Sequence, residues 1–245
     1  DEAKIYNRAL TDEEVKQDYN AGSAIQFGST SQSIGGTTTS LDYCIPGDTS
    51  YCASPVAEWN FEENTGTTVK DTSGNNLNGS LAGNPTWGSQ CHKGSCLTLD
   101  HIDNRMTVNH SSILEPTSIT IGGWIKLNNI NDRHVLFTKW NGYSIEINSS
   151  GYPYFRTYNG SQQDLNSNKN IVWGKWHYIS ATFDDTTKQK NIYLDGINVG
   201  TTTVTNSIAY SQGVFAIPYS SGLMASGLVD DVRIYNYART PAQIA

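Results

Sequence analysis

At 245 residues the chain is long enough for one large domain or two small ones. Hydrophobic residues make up 37% and charged residues 16%, and the 14 Tyr, 6 Trp and 6 Phe supply enough aromatic mass for a large core, which excludes wholesale disorder. The formal charge of −7 argues against binding a phosphate backbone, and no apolar run approaches the ~18 residues that cross a bilayer.

The first element in chain order is also a repeat. Asp1-Glu2-Ala3-Lys4-Ile5-Tyr6-Asn7-Arg8-Ala9-Leu10-Thr11 returns as Asp230-Asp231-Val232-Arg233-Ile234-Tyr235-Asn236-Tyr237-Ala238-Arg239-Thr240, with Asp, Ile, Tyr, Asn, Ala and Thr kept in place. A repeat at such long spacing points to tandem whole domains rather than a solenoid. Both copies run into a helix start. Thr11 with Glu14 forms a capping box, and that helix extends to Asn20-Ala21 and stops at Gly22. In the second copy Thr240 caps, Pro241 takes the first helical position and Gln243 closes the box. Residues 1–22 are therefore expected to be the C-terminal strand and helix of a preceding repeat. The chain, opening at Asp1 without an initiator Met, is expected to be cut from something longer.

Residues 23–55 are rich in Gly, Ser and Thr and read as a linker ending in the Cys44–Cys52 loop. The four cysteines fall as two close pairs, Cys44 with Cys52 and Cys91 with Cys96, and neither pair has zinc-finger spacing. Two local disulfides fit, in an oxidising extracellular or cell-surface setting; separately buried thiols are the alternative. Sequons at Asn78, Asn109, Asn148 and Asn159 suit the same setting.

From Val56 onward the pattern is short strands and turns. Strands are expected over 56–61, 119–127, 134–138, 143–147, 152–158, 176–183, 191–194, 214–217 and 228–235. Asn148-Ser149-Ser150-Gly151 and Asp195-Gly196 turn the chain between them. Many strands of similar spacing joined by Gly/Asn turns predict an all-β sandwich.

Four segments, in this order, then carry a resemblance. They are Trp59-Asn60-Phe61-Glu62-Glu63-Asn64-Thr65-Gly66 with Asp71-Thr72-Ser73-Gly74-Asn75; Gly94-Ser95-Cys96-Leu97-Thr98-Leu99-Asp100; Trp176-His177-Tyr178 through Ile192-Tyr193-Leu194-Asp195-Gly196; and Val229-Asp230-Asp231-Val232-Arg233-Ile234-Tyr235-Asn236. Residues 56–245 resemble the laminin-G-like group of the concanavalin A-like lectin/glucanase superfamily. The resemblance implies a jelly-roll sandwich of two antiparallel sheets with first and last strands adjacent, here carrying a short N-terminal strand–helix extension. It also implies a binding or adhesion role, commonly with a Ca²⁺ ion near a sheet edge.

Calcium takes six to eight oxygens, and the turn Asp71 to Asn76 offers a carboxylate and amides. With first and last strands adjacent, Glu63, Asp230 and Asp231 join Asp71 and Asn76 as candidate ligands. Alternation places Asp230 on the face of Val232 and Ile234, where an unpaired carboxylate is costly. The competing reading is an Asx-turn at Asp71 with a strand-end carboxylate bonded to amides. For sugars, Tyr152, Tyr154 and Tyr158 share one strand face by parity and, with Trp140, form a stacking surface or half-buried packing.

Glycoside hydrolysis needs two facing carboxylates, and the stretch comparable to a glucanase's catalytic strand holds only Glu146. Asp184-Asp185 sits in a polar loop, the five His show no catalytic spacing, and neither a GxSxG elbow nor a P-loop occurs. A non-catalytic module is expected. Its first expected role is structural or adhesive, as one repeat of a surface protein or filament, with Asp1, Ala3, Ile5 and Tyr6 packing as a strand on a neighbouring copy. The alternative is a Ca²⁺-dependent carbohydrate-binding module, with glycans or cell-surface proteins as partners.

Overall fold

The computed structural model describes residues 51–83, 85–88, 90–218 and 225–245. The expectations for residues 1–22, for the assembly residues Asp1, Ala3, Ile5 and Tyr6, and for Cys44 fall outside these residues. Chain contacts group residues 55–239 into one compact unit, while residues 240–245 belong to a second.

In the larger unit, sixteen strands are described, β1 (Ala57–Trp59), β2 (Thr68–Val69), β3 (Gly79–Ala82), β4 (Trp87–Gly88), β5 (Cys96–Asp100), β6 (Arg105–Val108), β7 (Ile119–Leu127), β8 (His134–Lys139), β9 (Tyr143–Ile147), β10 (Pro153–Tyr158), β11 (Gln162–Asn166), β12 (His177–Asp184), β13 (Gln189–Leu194), β14 (Ile197–Thr203), β15 (Phe215–Ile217) and β16 (Ser226–Tyr235). They form two antiparallel sheets, the sandwich that the alternation predicted. Sheet A runs β14-β13-β12-β7-β16-β5-β4, with β1 also paired to β16; sheet B runs β11-β10-β9-β8-β15-β6-β3-β2. First and last strands are neighbours, through Ala57↔Ile234 and Trp59↔Val232.

The core explains the pairing. Ile119, Ile121, Ile125 and Leu127 of β7, with Ile179, Ala181 and Phe183 of β12, join one buried cluster with Tyr143, Ile145 and Ile147 of β9 and Phe155 of β10. Each such side chain contributes about 2 kcal/mol on leaving water. Trp59 of sheet A stacks on Phe215 of sheet B at 5.2 Å, and its indole N–H donates to Leu77 O at 2.8 Å. The Asp195-Gly196 turn has both residues at positive φ, 53° and 77°, which fits a hairpin of the I′ type.

Alternation fails at one place that matters. Along β16 the register shifts between Asp230 and Arg233, with Asp231 in the left-handed region at φ 49°. This bulge separates Asp230 from the face of Val232 and Ile234. Asp230 lies opposite Trp124 and accepts a hydrogen bond from Lys93 N at 3.0 Å.

In the second unit the helix α1 (Pro241–Ile244) starts as its sequence predicts. Thr240 Oγ1 accepts from Gln243 N at 3.3 Å, Gln243 Oε1 accepts from Thr240 N at 3.1 Å, and Pro241 takes the first position.

Candidate binding face

Sheet B presents one face to the core and one away from it. On the outer face a single register row crosses all eight strands, Thr68, Ser80, Thr107, Ala216, Thr138, Ser144, Arg156 and Asp164. Directly paired residues point to the same side of a sheet, so this row is one polar track. Its middle is closed, with Ala216 at 2%, Thr138 at 8% and Ser144 at 5% exposure, while Asp164 at one end is exposed. The next row holds Val135, Glu146, Tyr154 and Asn166.

Glu146 organises the open side. It is buried, and its carboxylate accepts from Ser144 Oγ at 2.7 Å and from the Tyr154 hydroxyl. Two guanidinium groups complete its shell, Arg156 at 3.3 Å and Arg133 at 3.4 Å. Arg156 also grips Asp164 with two bonds, Nε to Oδ1 at 2.7 Å and Nη2 to Oδ2 at 2.8 Å, and lies over the Tyr154 ring at 5.4 Å. The bond to Asp164 raises the Arg156 pKa further, and burial pushes the Tyr154 phenol up. A buried carboxylate with four partners is a fixed polar floor. Across the row from Ser144, Thr138 Oγ1 is buried with no hydrogen-bond partner.

The hairpins fix this floor in place. Asn148 Oδ1 accepts from Ser150 N and Tyr152 N, both at 3.0 Å, and Gly151 at φ 85° completes the β9–β10 turn. Of the aromatic residues singled out by parity, Tyr154 and half-buried Tyr158 stand on this face. Tyr152 precedes the strand, and Trp140 occupies the β8–β9 turn. Arg133, Arg156 and Asp164 were not foreseen. The signal for Arg156 was available, since it shares the parity of Tyr154 and Tyr158, but its partners Glu146 and Asp164 lie on other strands.

The candidate calcium ligands lie elsewhere. Asp71 Oδ1 accepts from Glu58 N at 3.0 Å and Ser73 N at 2.9 Å, and Oδ2 from Ser73 Oγ and Leu77 N, both at 2.9 Å. Glu63 accepts from Lys70 N, Asn76 is exposed at φ 58°, and Asp231 pairs with Arg233 at 3.0 Å. Burial pushes the Asp230 carboxyl up to about 6, against the pull of the Lys93 amide, and Asp231 and Glu62 add to the rise. Among the described residues no three acidic, His or Cys groups gather as a metal site.

Cys91 and Cys96 are joined, and their loop lies against the same region. Ser95 N donates to Glu62 at 3.1 Å, and His92 stacks on Trp124 at 3.6 Å. The sequon residues sit on turns and loops; Asn109 is exposed, and Asn78 Oδ1 accepts from Asp71 N. The His177–Asp195 pair, at 2.8 Å, has the form of a catalytic dyad, but the other ring nitrogen of His177 accepts from Val172 N at 3.0 Å. No nitrogen is left to act as a base.

A laminin G family profile, described as the concanavalin A-like lectin/glucanases superfamily, matches residues 100–245. The chain belongs to this superfamily. Solved structures of similar fold cover 78% of the chain at low identity. The binding domain of Paraclostridial Mosquitocidal Protein 1 matches at 17% identity and TM-score 0.66, over 50% of its own chain. Domain 4 of AbnA, a GH43 extracellular arabinanase from Geobacillus stearothermophilus solved with arabinotriose, matches at 18% and 0.63, over 96% of its chain. The binding domain of Botulinum Neurotoxin DC, solved with SialylT, matches at 19% and 0.60, over 49%. The match thus spans about half of the toxin chains and nearly all of the arabinanase domain. No curated protein matches the chain by sequence. These neighbours are mostly binding domains rather than catalytic ones.

Proposed function

We propose that this chain is a non-catalytic extracellular module that binds carbohydrate on the outer face of sheet B. One observation carries the reading: Glu146, 3% exposed, sits on a sheet face turned away from the core and is held there by Arg133, Arg156, Tyr154 and Ser144. A buried carboxylate costs the fold desolvation even when it is paired, whereas a rigid charged floor beside Tyr154 and half-buried Tyr158 suits sugar hydroxyls and ring faces. The carbohydrate-bound arabinanase domain and the toxin binding domains support this class of function, and the Cys91–Cys96 bridge supports the extracellular setting.

A glycan array followed by calorimetry tests it. Arg156→Ala is expected to weaken binding by about tenfold or more, the loss typical of a buried charge-assisted contact, with the fold retained by circular dichroism. Full binding by that variant sinks the reading.

The duplicated segment favours a second role, compatible with the first. Four of the six residues kept between the copies have structural work in β16 or at the cap: Asp230, Ile234 and Tyr235 are buried, and Thr240 is the N-cap. Residues 1–22 then belong to a preceding copy of the module, and packing on a neighbour follows from their strand-like pattern. Light scattering on the chain with and without residues 1–22 is the test. Assembly that persists after their removal excludes them as the contact.

A further inference from the structure

We infer that Arg133 is the residue by which the sheet-B face takes hold of its ligand, its open guanidinium edge donating to two neighbouring hydroxyls of a neutral sugar; the inference rests on the carbohydrate reading above. The face carries two arginines, and both set Nη1 against the same buried carboxylate. Arg156 Nη1 meets Glu146 Oε1 at 3.3 Å, and Arg133 Nη1 meets Oε2 at 3.4 Å. Their outer edges then differ. Nε and Nη2 of Arg156 are filled by Asp164, at 2.7 and 2.8 Å. Arg133 has no such second acid. Its other side-chain bond also leaves from Nη1, to the Tyr154 hydroxyl at 3.4 Å, so Nε and Nη2 have no partner among the described residues. The Arg133 side chain is the more open of the two, at 32% exposure against 19% for Arg156.

A surface arginine samples many rotamers, and fixing it on a ligand costs entropy. Arg133 is held in advance. Its inner nitrogen lies against Glu146 and Tyr154, both buried and bonded to each other. The chain beside it is fixed too, since His134 and Val135 pair with Ile147 and Glu146 at the start of β8. A donor pair on a rigid support gains affinity because less freedom is lost on binding.

What this edge receives follows from its geometry and its charge. Nε–H and Nη2–H point the same way and make two parallel bonds to acceptors set side by side. Gauche hydroxyls on neighbouring ring carbons form such a pair, each oxygen having lone pairs to accept with. A carboxylate forms one as well, and two counts favour the hydroxyls. Arg133 already faces one carboxylate, and the charges of Arg133, Arg156, Glu146 and Asp164, two of each sign, cancel across the face. The chain's net charge of −7 also lowers the local concentration of anionic ligands.

Calorimetry on the full chain tests the assignment. The probes are the neutral trisaccharides of glucose, galactose and arabinose, the monodeoxy forms of the one that binds best, and the glucuronate and galacturonate trisaccharides. Removing one hydroxyl of the bound pair is expected to weaken binding to the wild-type chain by about tenfold, as for a lost bond to a charged donor. Arg133→Lys keeps a positive charge beside Glu146 but has no fork. It is expected to lose about tenfold for the parent sugar and to cut the penalty of the same deoxygenation to less than about twofold. In the wild-type chain, whatever the stability of that variant, the Arg133 Nε–H nuclear resonance is expected to shift on saturation with the parent sugar. An Nε–H that does not move, or a deoxygenation penalty equal in both proteins, overturns the inference and leaves the binding face standing. Uronates that bind tighter than every neutral trisaccharide assign the edge to a carboxylate and overturn it as well. Should no trisaccharide bind, the carbohydrate reading falls and takes this inference with it.

Discussion

Lys190 carries its ammonium group into the core, donating to Phe155 O at 3.0 Å and Gln163 O at 2.7 Å with the Phe155 ring 4.8 Å away. Burial pulls its pKa down to about 7, with the Asp164 carboxylate opposing. The unfolded chain keeps that proton until about 10.5. Stability is therefore lowest below pH 7 and grows as pH rises above it, by about 3 kcal/mol up to pH 9.5, before tyrosines ionise. Urea unfolding across this range is expected to show the rise, and Lys190→Met to flatten it. Asp230 acts in the opposite sense. The folded chain holds its proton up to about 6, while the unfolded chain releases it near 4. Stability is full below pH 4 and falls as pH passes 6. Asp230→Asn keeps an acceptor for Lys93 N without the charge, and is expected to gain about 2 kcal/mol at pH 7 and nothing at pH 4. A calcium ligand at this position gives the reverse sign in the presence of the ion.

Among elements, the strands easiest to anticipate are those with a buried alternate face, such as β7 and β12, whose apolar residues repeat with period two. The edge strand β11 carries a single buried residue, Leu165, and β14 only Val199, so the alternation has little to show. Asp230 was misplaced for another reason. This bulge places one residue at positive φ, and Asp231 adopts it without any Gly to announce the break. The candidate face was half legible: parity along β10 found Tyr154 and Tyr158, but Glu146 joins them only through register with β8 and β10, contacts that local periodicity does not encode. The disulfide loop is the element whose removal is most informative. Its amides hold Asp230 and Glu62, and Gly94, at φ 51°, lies where a Cβ would meet the Glu62 carboxylate at 2.1 Å. Replacing both Cys91 and Cys96 by Ser is expected to cost about 2 kcal/mol in urea unfolding, the loop-closure value for so short a ring. The sheet-B face shares none of these contacts, so sugar affinity is expected to stay within about twofold.

On the scale of the whole molecule, the charge of −7 repels an anionic ligand and leaves a neutral one unsteered. Long-range attraction would require opposite net charge, and it decays over a Debye length of about 8–10 Å at physiological ionic strength. A neutral sugar feels no such steering. Its affinity comes from hydrogen bonds and ring contacts made after arrival, on a floor whose ion pairs are mostly shielded from added salt by burial of Glu146. Binding is therefore expected to change by less than about twofold between 0.05 and 0.5 M NaCl, with association rates equally flat, whereas an acidic ligand repelled by the chain would bind better as salt rises. Surface plasmon resonance across that salt range separates the two. A rising affinity with salt would mean that the ligand carries negative charge, against the neutral-sugar reading.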